Sequence, residues 1–139
     1  MKKRPLPPVL NKITYRDFDL QFRRHPTSGK LLVKKDDDAL KQSIKNLILT
    51  DHFERPFRPE FGGNIRSRLF DLYTSFTKSE FENLIVNAIE NYEPRALLDT
   101  YSVNVRESTD SNEMFITIRF RNATTLNDIQ LDINLNRVR

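Results

Sequence analysis

The chain has 139 residues, no cysteine, 30% charged residues and a formal net charge of +4. That length is most simply one domain, and the absence of cysteine excludes a disulfide framework and thiolate chemistry. No run approaches the ~20 apolar residues of a membrane helix, and no apolar signal segment follows Met1-Lys2-Lys3-Arg4-Pro5, so the expectation is a soluble protein, intracellular or assembled inside the cell, without a membrane partner. The charge is uneven: residues 1–35 hold ten Lys and Arg against two Asp, whereas residues 36–139 hold thirteen against seventeen Asp and Glu.

Residues 1–16, with Pro5, Pro7 and Pro8, read as an extended basic arm, and 17–139 as one domain. Phe18 to Phe22 alternates apolar and polar residues, as a strand does. Arg23 to Lys30, with Pro26 and Gly29, reads as a turn, and Lys30 to Lys34 as the return strand of a hairpin. Asp36-Asp37-Asp38 opens a helix, where one aspartate can cap free N–H groups and all three favour the positive end of the dipole. Leu40, Ile44, Leu47 and Ile48 share one face of it, and it should stop near Thr50.

Asp51 to Gly63 is a loop unusually rich in phenylalanine, proline and charge, which should be anchored to the core or to a partner. From Asn64, Ile65, Leu69, Leu72 and Tyr73 give a second helical face. Thr77 and Glu80 form a capping box for a third helix, with Phe76 and Phe81 as its hydrophobic staple. Phe81, Leu84, Ile85, Ala88, Ile89 and Tyr92 make the apolar stripe of that helix, and Pro94 ends it, since a proline pushes its predecessor out of the α region. Three alternating stretches follow. Tyr101, Val103 and Val105, then Met114 to Phe120, then Ile129 to Leu135 each have one apolar face. The fold expected is α+β: an antiparallel sheet, made of the hairpin and three C-terminal strands, packed on about three helices.

Few residues point to catalysis. Glycoside hydrolysis needs paired carboxylates, one with a raised pKa. Glu54, Glu60 and Glu93 are the candidates, but Glu54 and Glu60 lie near arginines, which lower a carboxyl pKa. His25 and His52 do not make a metal-ligand cluster, and no cofactor is implied. The basic front could grip phosphates, yet no nucleic-acid-binding motif accompanies it, and a protein-binding arm leaves the same footprint. If Asp128 to Leu135 lies at a sheet edge, it can template a strand from another chain; Asp128 and Asp132 would guard it against indiscriminate pairing, and an ordinary strand has the same pattern.

Two stretches together resemble a known family. Leu47-Ile48-Leu49-Thr50 followed by Glu54-Arg55-Pro56-Phe57-Arg58-Pro59-Glu60-Phe61-Gly62-Gly63, with Leu69-Phe70 beyond, resembles the central motif of contractile-tail baseplate wedge proteins. Glu93-Pro94-Arg95 resembles that family's Glu-Pro-Arg motif. The family includes the small wedge subunit of myophage baseplates and TssE of type VI secretion. The resemblance covers about residues 17–135. One departure is Phe53, where the family usually has glycine.

The resemblance implies a structural protein of the inner baseplate in the virion, made in the host cytoplasm. Its implied partners are a core bundle of larger, TssF/TssG-like wedge subunits and the tail sheath protein. It implies that Glu93, Pro94 and Arg95 face the bundle. The loop residues Glu54, Arg55, Phe57, Pro59, Phe61 and Gly62 form a second candidate contact, and the strand with Asp128, Gln130, Asp132 and Asn134 would start the first sheath ring. The family sometimes carries the label lysozyme-like. The competing readings are a peptidoglycan-cleaving glycosidase, after that label, and a nucleic-acid binder, after the basic arm.

Overall fold

In a computed structural model, described for residues 15–68, 75–108 and 113–136, the chain forms an α+β fold. A short hairpin, β1 (Arg16–Phe18) with β2 (Val33–Lys35), leads into helix α1 (Asp36–Leu49). A 3-10 turn at Arg66–Arg68 precedes helix α2 (Ser75–Tyr92). Strands β3 (Ala96–Glu107), β4 (Glu113–Asn122) and β5 (Asp128–Asn136) then form an antiparallel sheet in the order β3-β4-β5.

Periodicity explains the layers. Leu40, Ile44, Leu47 and Ile48 of α1 and Phe81, Ile85, Ala88 and Ile89 of α2 lie on stripes that face the sheet. Met114, Ile116, Ile118 and Phe120 of β4 meet them, while Phe115, Arg119 and Arg121 point to solvent. Ile129, Ile133 and Leu135 do the same on β5. α1 packs beneath the β5 side of the sheet and α2 beneath the β3 side. Among the described residues, no helix is long and apolar enough to cross a membrane.

Several local expectations need correction. The hairpin forms, but as a two-stranded sheet of its own rather than as part of the C-terminal sheet, and its first strand covers Arg16–Phe18 rather than Phe18 to Phe22. Asp19 buries its carboxylate against Arg23, and the Phe22 N–H bonds the Asp19 carbonyl, so the chain turns where the alternation suggested a strand. No aspartate side chain caps α1. Asp36 instead accepts the Tyr15 N–H, and Asp37 accepts hydrogen bonds from Asn122, Thr125 and Asn127 at 2.7–2.8 Å. Asp37 thereby ties the β4–β5 turn to the start of α1, and those bonds hold its carboxyl below the usual range despite partial burial.

α2 already includes Ser75, so Thr77 and Glu80 sit inside the helix rather than at its cap. Phe76 is 80% exposed while Phe81 is buried, so these two do not form a staple. Ile65 is buried, and the described part of the second helical face is only the 3-10 turn; Leu69, Leu72 and Tyr73 lie outside the described residues, as do residues 1–14 of the arm.

β3 starts five residues earlier than its alternation begins and carries an irregularity. Leu98 pairs with Phe120, but the next pair is Val103 with Ile118. Within the irregular stretch Tyr101 turns outward, in the left-handed region (φ 64) and 94% exposed, while Ser102 is buried. Tyr101 therefore does not share the buried face of Val103 and Val105.

Candidate functional site

The turn after α2 is built by proline. The Glu93 N–H still closes the helix onto Ile89 at 2.8 Å, and Pro94 cannot continue the ladder. The Ala96 N–H then returns to the Glu93 carbonyl at 3.0 Å, which sets Glu93 and Arg95 on either side of a tight turn. The Ala123 N–H bonds the Arg95 carbonyl at 2.8 Å and fixes the turn against the end of β4.

Within that turn the side chains of Glu93 and Arg95 lock together. Arg95 donates from Nε to Glu93 Oε1 at 2.5 Å and from Nη2 to Oε2 at 2.7 Å. The Ser43 hydroxyl of α1 adds a third bond to Oε2 at 2.6 Å. The Arg95 guanidinium lies over the Tyr15 ring, 4.6 Å from its centroid, a cation–π geometry. One carboxylate thus joins α1, the end of α2 and the start of β3, and its arginine reaches the segment before β1.

Charge follows from this packing. Glu93 is only 5% exposed, and burial alone pushes its carboxyl upward. The Arg95 and Ser43 hydrogen bonds and the Arg95 charge outweigh burial and hold it below its ordinary value. Arg95 is raised in turn, first by its hydrogen bond to Glu93. Pro94 is exposed and the Arg95 side chain keeps 28% of its surface, so these two are what the turn can offer a partner.

The phenylalanine-rich loop comes to the same place. A cleft of about 590 Å³ is lined by Glu93, Ser43 and Tyr92 on one side and by Glu54, Arg55, Arg58 and Phe61 on the other. Tyr92 anchors the loop: its hydroxyl donates to the Glu60 carbonyl at 2.7 Å and its ring meets Phe61 edge-on at 5.0 Å. Arg55 stacks over the other contact of that cluster, 4.3 Å from the Phe61 centroid. Glu54 accepts the Asp51 N–H at 3.0 Å. Phe57 and Pro59 stand outside the cleft and are exposed.

The loop's backbone explains its glycine and its departure from the family motif. Gly62 has φ 127, and a Cβ there would lie 2.3 Å from the Thr50 carbonyl oxygen, so only glycine fits. Next to it, the Gly63 N–H bonds the Leu47 and Thr50 carbonyls, serving the free end of α1. Phe53 has φ 69, the conformation that suits the glycine expected there. Phe53 is 84% exposed in this strained conformation.

The two edges of the β3-β4-β5 sheet differ. The Asn122 N–H bonds the Asn127 carbonyl, which makes these two a hydrogen-bonded pair. Such pairs alternate along an antiparallel ladder. Arg121–Asp128, Arg119–Gln130, Thr117–Asp132 and Phe115–Asn134 are then the other kind, so the N–H and C=O groups of Asp128, Gln130, Asp132 and Asn134 point away from β4. The Ser108 N–H to Glu113 carbonyl bond at the opposite hairpin gives the same phase.

Among the described residues, no backbone hydrogen bond reaches β5 on that outer side. On the β3 edge, the outward Val105 N–H is taken by the Glu82 carboxylate of α2 at 3.1 Å. The side chains of β5 form a polar ladder with β4, Arg121 to Asp128 at 2.7 Å and Thr117 to Asp132 at 2.8 Å.

Sequence reasoning placed Glu93 beside Arg95 but missed Ser43, Tyr15 and Tyr92. The first two lie in other elements, and no local pattern joins them to the turn. Tyr92 continues the apolar stripe of α2 at helical spacing, and nothing in the sequence marks its hydroxyl as the anchor of the loop.

The family model of baseplate wedge protein gp25 matches residues 34–126. Baseplate wedge protein gp25 of Enterobacteria phage T4 is 36% identical over 92 residues, covering 66% of this chain and 68% of that protein. The chain belongs to the gp25 family of baseplate wedge proteins, structural components of contractile tails. Among solved structures, a protein described as a tail lysozyme from Geobacter sulfurreducens has a TM-score of 0.70 at 26% identity, covering 79% of this chain and 98% of that one. A chain of the anti-feeding prophage baseplate shares the fold, with a TM-score of 0.68 at 24% identity over 79% of this chain and 86% of that one.

Proposed function

We propose that this protein is a non-catalytic wedge component of the virion tail baseplate, assembled in the host cytoplasm, which docks on larger wedge subunits through the Pro94–Arg95 surface. The observation that carries the reading is the Glu93–Arg95 lock. Glu93 is used up inside the molecule, and its role is to hold Arg95 in a fixed, half-exposed position beside Pro94. A preset guanidinium costs less entropy to engage than a free one and selects a partner with a matching acceptor.

The loop across the cleft adds an apolar contact. Phe53 and Phe57 both have φ 69 and both project into solvent from a loop pinned by Tyr92. Strained backbone that exposes large aromatic side chains on an ordered loop marks an interaction surface better than a stability device. Phe57 and Pro59 would meet the bundle beside Arg95, while Glu54, Arg55, Phe61 and Gly62 hold the loop in shape. The β5 edge, with the backbone groups of Asp128, Gln130, Asp132 and Asn134 turned outward, would pair with a strand of the sheath protein and start the first ring.

The lysozyme reading draws on the name of the Geobacter protein. It fits the carboxylates poorly, since a general acid needs a raised pKa and Glu93 is held low. The deciding experiment is co-expression with the larger wedge subunits. Arg95→Ala should remain folded and fail to co-purify, with no clearing on a peptidoglycan zymogram by the unmodified protein. Normal co-purification of the variant counts against the docking role; clearing lost in Glu54→Gln or Glu60→Gln would return the enzyme reading.

A further inference from the structure

The ground beside the β5 edge carries a charge of its own. Between α1 and the hairpin lies a cleft of about 280 Å³ whose lining includes Leu131 of β5 and Leu20. Four basic side chains surround these leucines: Arg23 and Lys34 from the hairpin side, and Lys41 and Lys45 from α1. The carboxylate among them, Asp19, is buried and already bonded to Arg23 at 2.7 Å, with Lys34 at 3.9 Å. Lys41 and Lys45 stand four residues apart on one helical face, where like charges repel; among the described residues neither is in an ion pair, although the Lys41 charge also reaches the Asp37 carboxylate.

A strand laid along the outward groups of β5 would send alternate side chains to opposite faces. One set would continue the solvent face beside Gln130 and Asp132. The other would turn toward α1, over Leu131 and within the field of the two lysines. We infer that the β5 edge accepts a strand from another chain whose α1-facing side chains combine an apolar residue, set against Leu20 and Leu131, with glutamate or aspartate opposite Lys41 and Lys45. This rests on the reading of β5 as a strand-pairing edge and adds a rule for which strand it takes. The backbone groups supply generic attraction, and the lysines supply selection.

Two labelled probe peptides test it, each alternating threonine on one face with either valine and glutamate or valine and lysine on the other. Binding to the full chain is followed by fluorescence anisotropy at low and high salt, and amide exchange at Gln130 and Asp132 reports whether the edge is occupied. The glutamate peptide should bind at least about tenfold more tightly than the lysine peptide, with the advantage shrinking in high salt. Lys41→Glu with Lys45→Glu should reverse the preference.

Gln130→Pro should remove binding of either peptide. Proline is tolerated there because that N–H faces outward rather than to β4. Equal binding of the two peptides with edge protection overturns the charge rule and leaves the edge reading standing. Glutamate-peptide binding that survives Gln130→Pro, or that leaves the Gln130 and Asp132 amides unprotected, overturns the edge reading. Binding of neither peptide overturns both.

Discussion

Removing either member of the Glu93–Arg95 pair should destabilise the fold, and unequally. In Arg95→Ala, a carboxylate that is 5% exposed loses two charge-assisted bonds and keeps the Ser43 hydroxyl and the backbone N–H of residue 95. Breaking a buried pair in this way costs about 3–4 kcal/mol at neutral pH, or roughly 10 °C in Tm for a domain of this size. Glu93→Gln leaves Arg95, whose side chain already reaches water, and should cost less, about 1–2 kcal/mol. The pH dependence separates these effects further. In the unmodified chain Glu93 is held below its ordinary value, so its contribution is present above the unfolded carboxyl pKa and is lost as pH falls through the lower folded value. In Arg95→Ala burial dominates and raises the Glu93 pKa above the unfolded value. The variant is then penalised at high pH and relieved as pH falls through that raised value. Denaturant titrations at pH 7.5 and near pH 4.5 should show the gap between wild type and Arg95→Ala narrowing by about 1–2 kcal/mol on acidification. A gap independent of pH, or Glu93→Gln the more damaging change, would refute the claim that Glu93 is buried for the sake of Arg95.

Asp37→Ala should cost about 2 kcal/mol, because three donors of the β4–β5 turn lose their common acceptor. Its depressed pKa means that this difference should be complete near neutrality and fade as the pH falls below about 4, which acid titration of both proteins can measure. Gly62→Ala should cost about 2–3 kcal/mol in chemical denaturation, since its Cβ would meet the Thr50 carbonyl and its φ suits only glycine. Phe53→Gly should instead raise stability by up to about 1 kcal/mol by relieving the left-handed strain; a loss of stability would mean that this exposed ring packs on something within the chain.

The sequence exposed the parts governed by period. The stripes of α1 and α2 and the faces of β4 and β5 were legible because each apolar side chain repeats at 3.6 or 2 residues and the sheet is covered on one side only. What escaped reading were the places where a distant side chain overrides a local pattern. Tyr101 continues an alternation, yet the residues inserted before Val103 turn it outward. Asp36 to Asp38 look like capping residues, but Asp37 bonds a turn some ninety residues away. Phe76 and Phe81 have staple spacing, but the helix starts too early to use it. The candidate site divides in the same way. The Glu93–Arg95 pairing is local and follows from the proline turn, whereas Ser43 and Tyr15 join it only through the fold. The cleft shared with the loop depends on Tyr92, at the last turn of α2, reaching the Glu60 carbonyl.

The most direct test of the central claim is photo-crosslinking in assembled particles, from a reactive residue placed at Pro94 and, separately, at Asn134. The account predicts that position 94 crosslinks to the larger wedge subunits and position 134 to the sheath protein. Crosslinks from position 94 to the sheath, or from neither position to another chain, would contradict it.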